Sequence, residues 1–248
     1  MVSARFMPAR TPFASGAGAE LPRAASLMIE KPARKRHETR PEKAARAVAI
    51  AERLAALYAD VECPLTHRNT FELLIAVILS AQCTDAAVNK VTPALFQRYP
   101  DPAALAVASV ADIESYIRSL GLFRAKAKSL KRCAAQLVSE FSGSVPSAMD
   151  ELVRLAGVGR KTANVIRGHA FAMPGIAVDT HCGRLARRLG LSRQQDPAKV
   201  ESDLARLLPP KEWTGFSHRL IMHGRRVCYA RKPACGSCAL SELCPSKA

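Results

Sequence analysis

The chain has 248 residues, enough for one large or two modest cores, and its 48% hydrophobic and 5% aromatic content excludes a disordered polypeptide. Thirty-seven Lys and Arg against 21 Asp and Glu leave a net charge of +16, the electrostatic footprint of a protein whose partner is a polyanion. A membrane is excluded as that partner, because the most apolar run, 73 to 81, is too short to span and no helix opposes a strongly basic face to a Trp- and Phe-rich one.

Residues 1 to 40 are rich in Ala, Pro, Arg and Ser, with eight basic and three acidic residues and no sustained period, so a disordered basic arm is expected there. An organelle transit peptide and initiation at Met28 are alternative readings of the same segment. The first 30 residues lack the continuous apolar run of a secretory signal, which points to a reducing, cytoplasmic, nucleoid-associated protein.

From Pro41 onward the pattern is helical, with about ten helices and no convincing strand. Pro41, Asp101-Pro102, Ser109 with Asp112, Ser147 with Asp150, and Asp196-Pro197 are helix-start signals. Residues 71 to 81 are β-branched enough for a buried strand, but their length and the lack of an alternating partner favour a buried helix. Gly121, Gly143 and Gly190, with Pro93, Pro174 and Pro209, mark short connections.

The stretch 152 to 181, LVRLAGVGRKTANVIRGHAFAMPGIAVDTH, concentrates the chemistry. Apolar residues at helical spacing flank Gly157-Val158-Gly159, which predicts helix, tight turn, helix. A P-loop is excluded because Arg160 separates Gly159 from Lys161-Thr162, and a dinucleotide fingerprint because the third glycine and the preceding strand are missing. A helix-hairpin-helix remains, whose N–H groups at the second helix start suit a phosphate oxygen; on the glycines alone, a plain helix C-cap is equally good. Lys161 falls in the first turn of that second helix, where the dipole and Arg160 favour the neutral amine a nucleophile needs. Asp179, 18 residues on in an apolar setting, is the candidate carboxylate partner.

Eight cysteines are unevenly spread, four of them in the last 21 residues. Cys228, Cys235, Cys238 and Cys244 form C-x6-C-x2-C-x5-C, four soft ligands that imply a metal centre rather than disulfides. Spacing alone favours structural zinc over an iron–sulfur cluster, although it fits no common zinc ribbon. Five Lys or Arg and no acid lie between residues 213 and 241, so Arg225, Arg226, Arg231 and Lys232 are expected to face phosphates.

Four separated motifs, FELLIAVILSAQCTD at 71 to 85, GLFRAKA at 121 to 127, LAGVGRKTANVI with IAVDTH, and HGRRVC with RKPACGSC and the last cysteine, together resemble the endonuclease III family of helix-hairpin-helix DNA glycosylases. The resemblance covers residue 41 to the C-terminus. It implies a 4Fe-4S cluster on the four cysteines in place of zinc. It also implies an all-α fold, with a helical barrel over 63 to 173, a second helical domain from 41 to 62 and 174 to 248 that carries the cluster, and the active site in the cleft between them.

By the same resemblance the chain is a bifunctional DNA glycosylase and abasic-site lyase, a monomer acting on duplex DNA with damaged pyrimidines or abasic sites. Lys161 would be the Schiff-base nucleophile and Asp179 its carboxylate. Gln82 and Leu122 would enter the duplex, although a capped helix end and a core leucine would look the same in sequence. Gly157, Val158, Gly159, Arg160, His181 and Arg184 would lie at the DNA, with Asp85 nearby. Ala156 departs from the usual hairpin proline. The rivals are an adenine glycosylase relative, which carries serine where Lys161 stands, and a noncatalytic DNA-binding or electron-transfer iron–sulfur protein.

Overall fold

A computed structural model describes residues 38–59 and 63–247 of the chain. The arm expected over 1 to 40 lies outside the described residues up to residue 37. Its far boundary moves, because Thr39 already caps the first helix: its hydroxyl accepts from Glu42 N while the Glu42 carboxylate accepts from Thr39 N. This capping box satisfies two backbone N–H groups that the helix start would otherwise leave open.

The described residues form eleven α-helices and three single turns of 3-10 helix, with no strand. The first six are α1 (Arg40–Leu57), α2 (Thr70–Leu79), α3 (Asp85–Arg98), α4 (Pro102–Val107), α5 (Val110–Ile117) and α6 (Phe123–Phe141). The other five are α7 (Met149–Leu152), α8 (Arg160–Ala170), α9 (Thr180–Arg188), α10 (Pro197–Ala205) and α11 (Trp213–Arg226). Asp101, Ser109 and Asp196 cap α4, α5 and α10 through their side chains, as their positions before the apolar periods dictate. Ser147 does not cap α7. That helix is a single turn starting after Ala148, with no side-chain cap.

Pro93 also departs from the reading of it as a connection. It lies inside α3, and the helix runs through it because Val88, Val91, Leu95 and Phe96 are buried along one face. Burial of side chains this size stabilises by about 2 kcal/mol each, enough to carry the helix past the backbone bond that proline forgoes.

The apolar side chains gather into two cores. The first draws on residues 65 to 166, and at its centre is α2, buried at every position from Phe71 to Leu79. A helix that is apolar all round needs neighbours all round, and α3, α6 and α8 supply them. The second core joins Ala47, Ile50 and Leu54 of α1 to residues 176 to 240, with Phe216 and Leu220 of α11 fully buried against them.

Between α8 and α9 the chain is buried from Gly175 to Val178, with neither helix nor sheet to satisfy its backbone. Side chains do so instead. Asn164 donates to Ile176 O at 3.0 Å, Ser217 Oγ accepts from Ala177 N at 3.2 Å, and Thr214 Oγ1 accepts from Gly175 N at 3.4 Å. The segment is thus fixed between α8 and α11, and it delivers Asp179 to the N-cap of α9.

Candidate active site and cluster site

A cleft of about 530 Å³ lies where the two cores meet. Val77, Ser80, Gln82, Lys161 and Val165 come from elements of the first core, and Tyr58, Asp179, His218 and Arg225 from those of the second. Lys161 occupies the first turn of α8, exposed to the cleft, and no ion pair reaches it among the described residues. One oxygen of Asp179 accepts from Cys182 N at 2.8 Å, and its carboxylate is otherwise open to the cleft that Lys161 shares. The hairpin thus brings amine and carboxylate into one cleft although 18 residues separate them in the chain.

Gly157 is the turn's hinge residue. Its φ of +83° is the left-handed region that glycine tolerates, and a Cβ there would stand 3.0 Å from Ile78 Cγ2. Gly159 is different: its φ is −98°, and a Cβ would meet nothing within 4 Å, so its face of the turn is open. Val158 turns its side chain into the core, which leaves only its backbone available to a ligand.

Gln82 lines the cleft and Leu122 stands near it, since a Cβ on the preceding Gly121 would lie 3.8 Å from Gln82 O. Both have positive φ, 55° and 59°, and both are exposed, Leu122 to 58%. The core-leucine alternative for Leu122 is therefore overturned: α6 starts at its neighbour Phe123, and the left-handed cap turns the leucine outward.

Three expected contact residues hold bonds within the protein. Arg160 turns aside and makes a bidentate pair with Glu201, at 2.7 and 2.9 Å, so its charge is compensated rather than directed at Lys161. Arg184 points inward, donating to Gly224 O at 2.9 Å and Cys228 O at 2.8 Å, with its NH2 3.2 Å from His181 Nδ1. His181 packs against Gly224, where any side chain would strike it. Arg184 and His181 therefore tie α9 to the end of α11, because two carbonyls and an imidazole converge where a guanidinium can satisfy them.

Arg225 reaches across the cleft to Asp85 at 3.0 Å, and the Arg226 guanidinium lies 5.8 Å from the centre of the Tyr58 ring. Arg231 and Lys232 are exposed on the loop after α11. Sequence reasoning missed Tyr58, Cys63 and His218 in the cleft wall. For His218 a signal existed, since 218, 221, 222 and 225 share one face of α11 at helical spacing. Burial lowers the His218 imidazole to about 4, helped by His169, whose Nε2 is 3.4 Å from its own, and by Arg225 and Lys161, while Asp85 opposes the shift. Burial likewise raises the Cys63 thiol.

The four expected ligand cysteines line one hollow with Leu185, Leu189, Val227 and Leu240. Among the described residues no three His, Cys, Asp or Glu side chains are grouped to hold a single metal ion. Four thiolates around one hollow are a soft donor set that an iron–sulfur cluster accepts. Nitrogens face two of the sulfurs: Arg188 NH1 donates to Cys228 Sγ at 3.2 Å, and His223 Nε2 is 3.3 Å from Cys238 Sγ. Burial raises the Cys238 thiol, and the other three cysteines raise it further, a repulsion that a cationic iron core would offset. Arg46 and Arg53 of α1 hold the loop carbonyls of Leu243 and Ala239.

The model of the HhH-GPD superfamily of base excision DNA repair proteins matches residues 75–210, and that of the iron–sulfur binding domain of endonuclease III matches residues 228–244. Endonuclease III of Synechocystis is 52% identical over 81% of this chain and 92% of that relative. The Bacillus subtilis enzyme is 45% identical over 78% and 89%. A solved endonuclease III–DNA complex, a trapped covalent intermediate with an estranged adenine, is 45% identical and superposes with a TM-score of 0.78 over 82% of this chain and 96% of that one. The hairpin fold and its cleft thus define a DNA glycosylase of the HhH-GPD superfamily. Within it, the chain belongs to the endonuclease III family, and it is a DNA glycosylase with abasic-site lyase activity that carries a 4Fe-4S cluster and works in base excision repair. Among the described residues no helix is long and apolar enough to cross a membrane.

Proposed function

We propose that Lys161 is the nucleophile of this reaction and Asp179 the carboxylate that receives its proton and stabilises the developing sugar cation. The supporting observation is their shared cleft, with Lys161 free of any ion pair among the described residues and Asp179 fixed by its cap to α9. The trapped covalent complex of the 45% identical endonuclease III agrees with a covalent route.

A base inside the stack is beyond the reach of this cleft, so the nucleotide must be extruded at a cost of a few kcal/mol. Gln82 and Leu122, both exposed, fill its place. The Lys161 amine then attacks C1′, the glycosidic bond breaks, and the base leaves with the proton that the attacking amine gives up; the C1′–O4′ bond then opens, O4′ taking a proton from water. The resulting iminium acidifies C2′; loss of that proton breaks the C3′–O bond, and the 3′ phosphate departs. Dividing the reaction in two lowers each barrier.

The backbone at the open Gly159 face holds one phosphate, while Arg225, Arg226, Arg231 and Lys232 face others. The preferred substrates are oxidised or ring-damaged pyrimidines and abasic sites in duplex DNA of the nucleoid, met by a monomer. The two cores correspond to a hairpin domain over 63 to 173 and a cluster domain from 41 to 62 and 174 to 248. The cysteines Cys228, Cys235, Cys238 and Cys244 hold the cluster, which supplies strong metal–thiolate bonds to a loop with little apolar core of its own.

Borohydride trapping on a duplex with one abasic site tests the assignment. Lys161→Gln is expected to bind the duplex with wild-type affinity yet form no cross-link and leave the strand intact. Cross-linking by Lys161→Gln at the wild-type rate would place the nucleophile elsewhere.

A further inference from the structure

The two exposed tips come from opposite ends of α2 and α6. Gln82 lies just after α2, Leu122 just before α6, and both hold a left-handed backbone that side chains with a Cβ rarely adopt. No side-chain cap fixes the start of α6. Beneath both tips lies Lys126, only 5% exposed, in the first helical turn where the dipole disfavours a cation. Its Nζ donates to Cys83 Sγ at 3.0 Å, and no other hydrogen bond of that side chain is found among the described residues. A Cβ placed on Gly121 would stand 4.0 Å from the same sulfur and 3.8 Å from Gln82 O.

A buried amine with one sulfur acceptor is a poor stabiliser, and an apolar side chain of equal length would fill that space at lower cost. Its distinctive property is direction: one bond joins the residue after Gln82 to the turn that Leu122 opens. We propose that Lys126 and Cys83 form a buried clamp that sets the spacing of the two tips, making Lys126 a positioning residue for nucleotide extrusion. The inference rests on the reading of Gln82 and Leu122 as the side chains that enter the duplex.

The test compares a substrate that needs extrusion with one that does not. The first is a duplex with one damaged pyrimidine beside 2-aminopurine, and the second a single-stranded oligonucleotide with an abasic site. In Lys126→Met and Cys83→Ala, single-turnover base release from the duplex and the 2-aminopurine fluorescence rise are expected to fall about tenfold, since small misplacement of positioning groups costs this much or more. Borohydride trapping on the single strand stays at the wild-type rate. Cys83→Ser, whose hydroxyl also accepts from an amine, restores most of the duplex rate.

Wild-type duplex release in both variants, or equal losses on the two substrates, overturns the clamp. Should Lys126→Met fail to fold, Cys83→Ala decides by the same comparison. A Gln82→Ala, Leu122→Ala double variant separates the two levels. If it extrudes as well as wild type, the reading of the tips falls and the clamp with it; if it fails while Lys126→Met and Cys83→Ala extrude normally, only the clamp falls.

Discussion

His218 stands in the cleft wall with its ring against His169, centroids 4.6 Å apart, and burial keeps both imidazoles neutral at physiological pH. A lowered histidine acts on stability with a definite sign. The unfolded chain takes up a proton below about 6.5 while the folded protein resists until about 4, so the contribution is complete above 6.5 and is lost as pH falls between these values. Urea unfolding is expected to show a loss of about 2 kcal/mol from this group between pH 7 and pH 5, by the linkage relation. His218→Asn, which has no such proton to take up, should flatten most of that difference; an unchanged pH dependence would show that His218 titrates normally in the fold. At this scale the tight turn before Lys161 was legible from its glycines, and the shared cleft of Lys161 and Asp179 was not, because Asp179 reaches it as the N-cap of α9, which its apolar neighbours alone do not announce. Nor were Arg160 and Arg184, because a guanidinium goes where acceptors converge, and Glu201, Gly224 and Cys228 lie 40 or more residues away.

Elements were more legible than their joints. Asp101, Ser109 and Asp196 announced their helices because a cap depends on three or four neighbouring residues, whereas α7 is a single turn without a side-chain cap, held by the buried Leu152. The hairpin turn shows the limit most clearly, since its two glycines look alike in sequence and differ in the structure. Gly157→Ala places a Cβ at positive φ and 3.0 Å from Ile78, and should cost about 2 kcal/mol in thermal or urea unfolding. Gly159→Ala meets nothing and has an ordinary φ, so the fold should keep its stability. Its effect should appear on duplex affinity instead, because the added methyl holds a phosphate away from the backbone N–H groups. If Gly159→Ala binds the duplex as tightly as wild type, the open face of the turn is not where the DNA backbone lies.

Across the whole molecule the excess of positive charge was plain from composition, but which charges remain free is a property of the fold. Duplex affinity should fall with salt, by a slope of about 0.9 in log–log terms for each phosphate engaged. Arg231→Ala and Lys232→Ala should each remove about that much, and Arg225→Ala less, because Asp85 already partners it at 3.0 Å. Deleting residues 1–37, which leaves the Thr39 cap intact, should weaken binding to undamaged duplex while sparing abasic-site trapping. Equal slopes for all three alanine variants would show that the Asp85 pair opens on binding.

The second core is assembled from segments far apart in the chain, with Ile50 and Leu54 packed among residues 176 to 240. On a ribosome these partners are separated by most of the synthesis time. The first core, drawn from residues 65 to 166, can close while α11 is still untranslated; α1 must keep an apolar face waiting in water until residues 176 to 240 emerge. That interval is when a newborn molecule is most open to misassociation with its neighbours. It also sets an order on folding: the cysteine loop gains the Arg46 and Arg53 contacts that steady it only once α1 has docked.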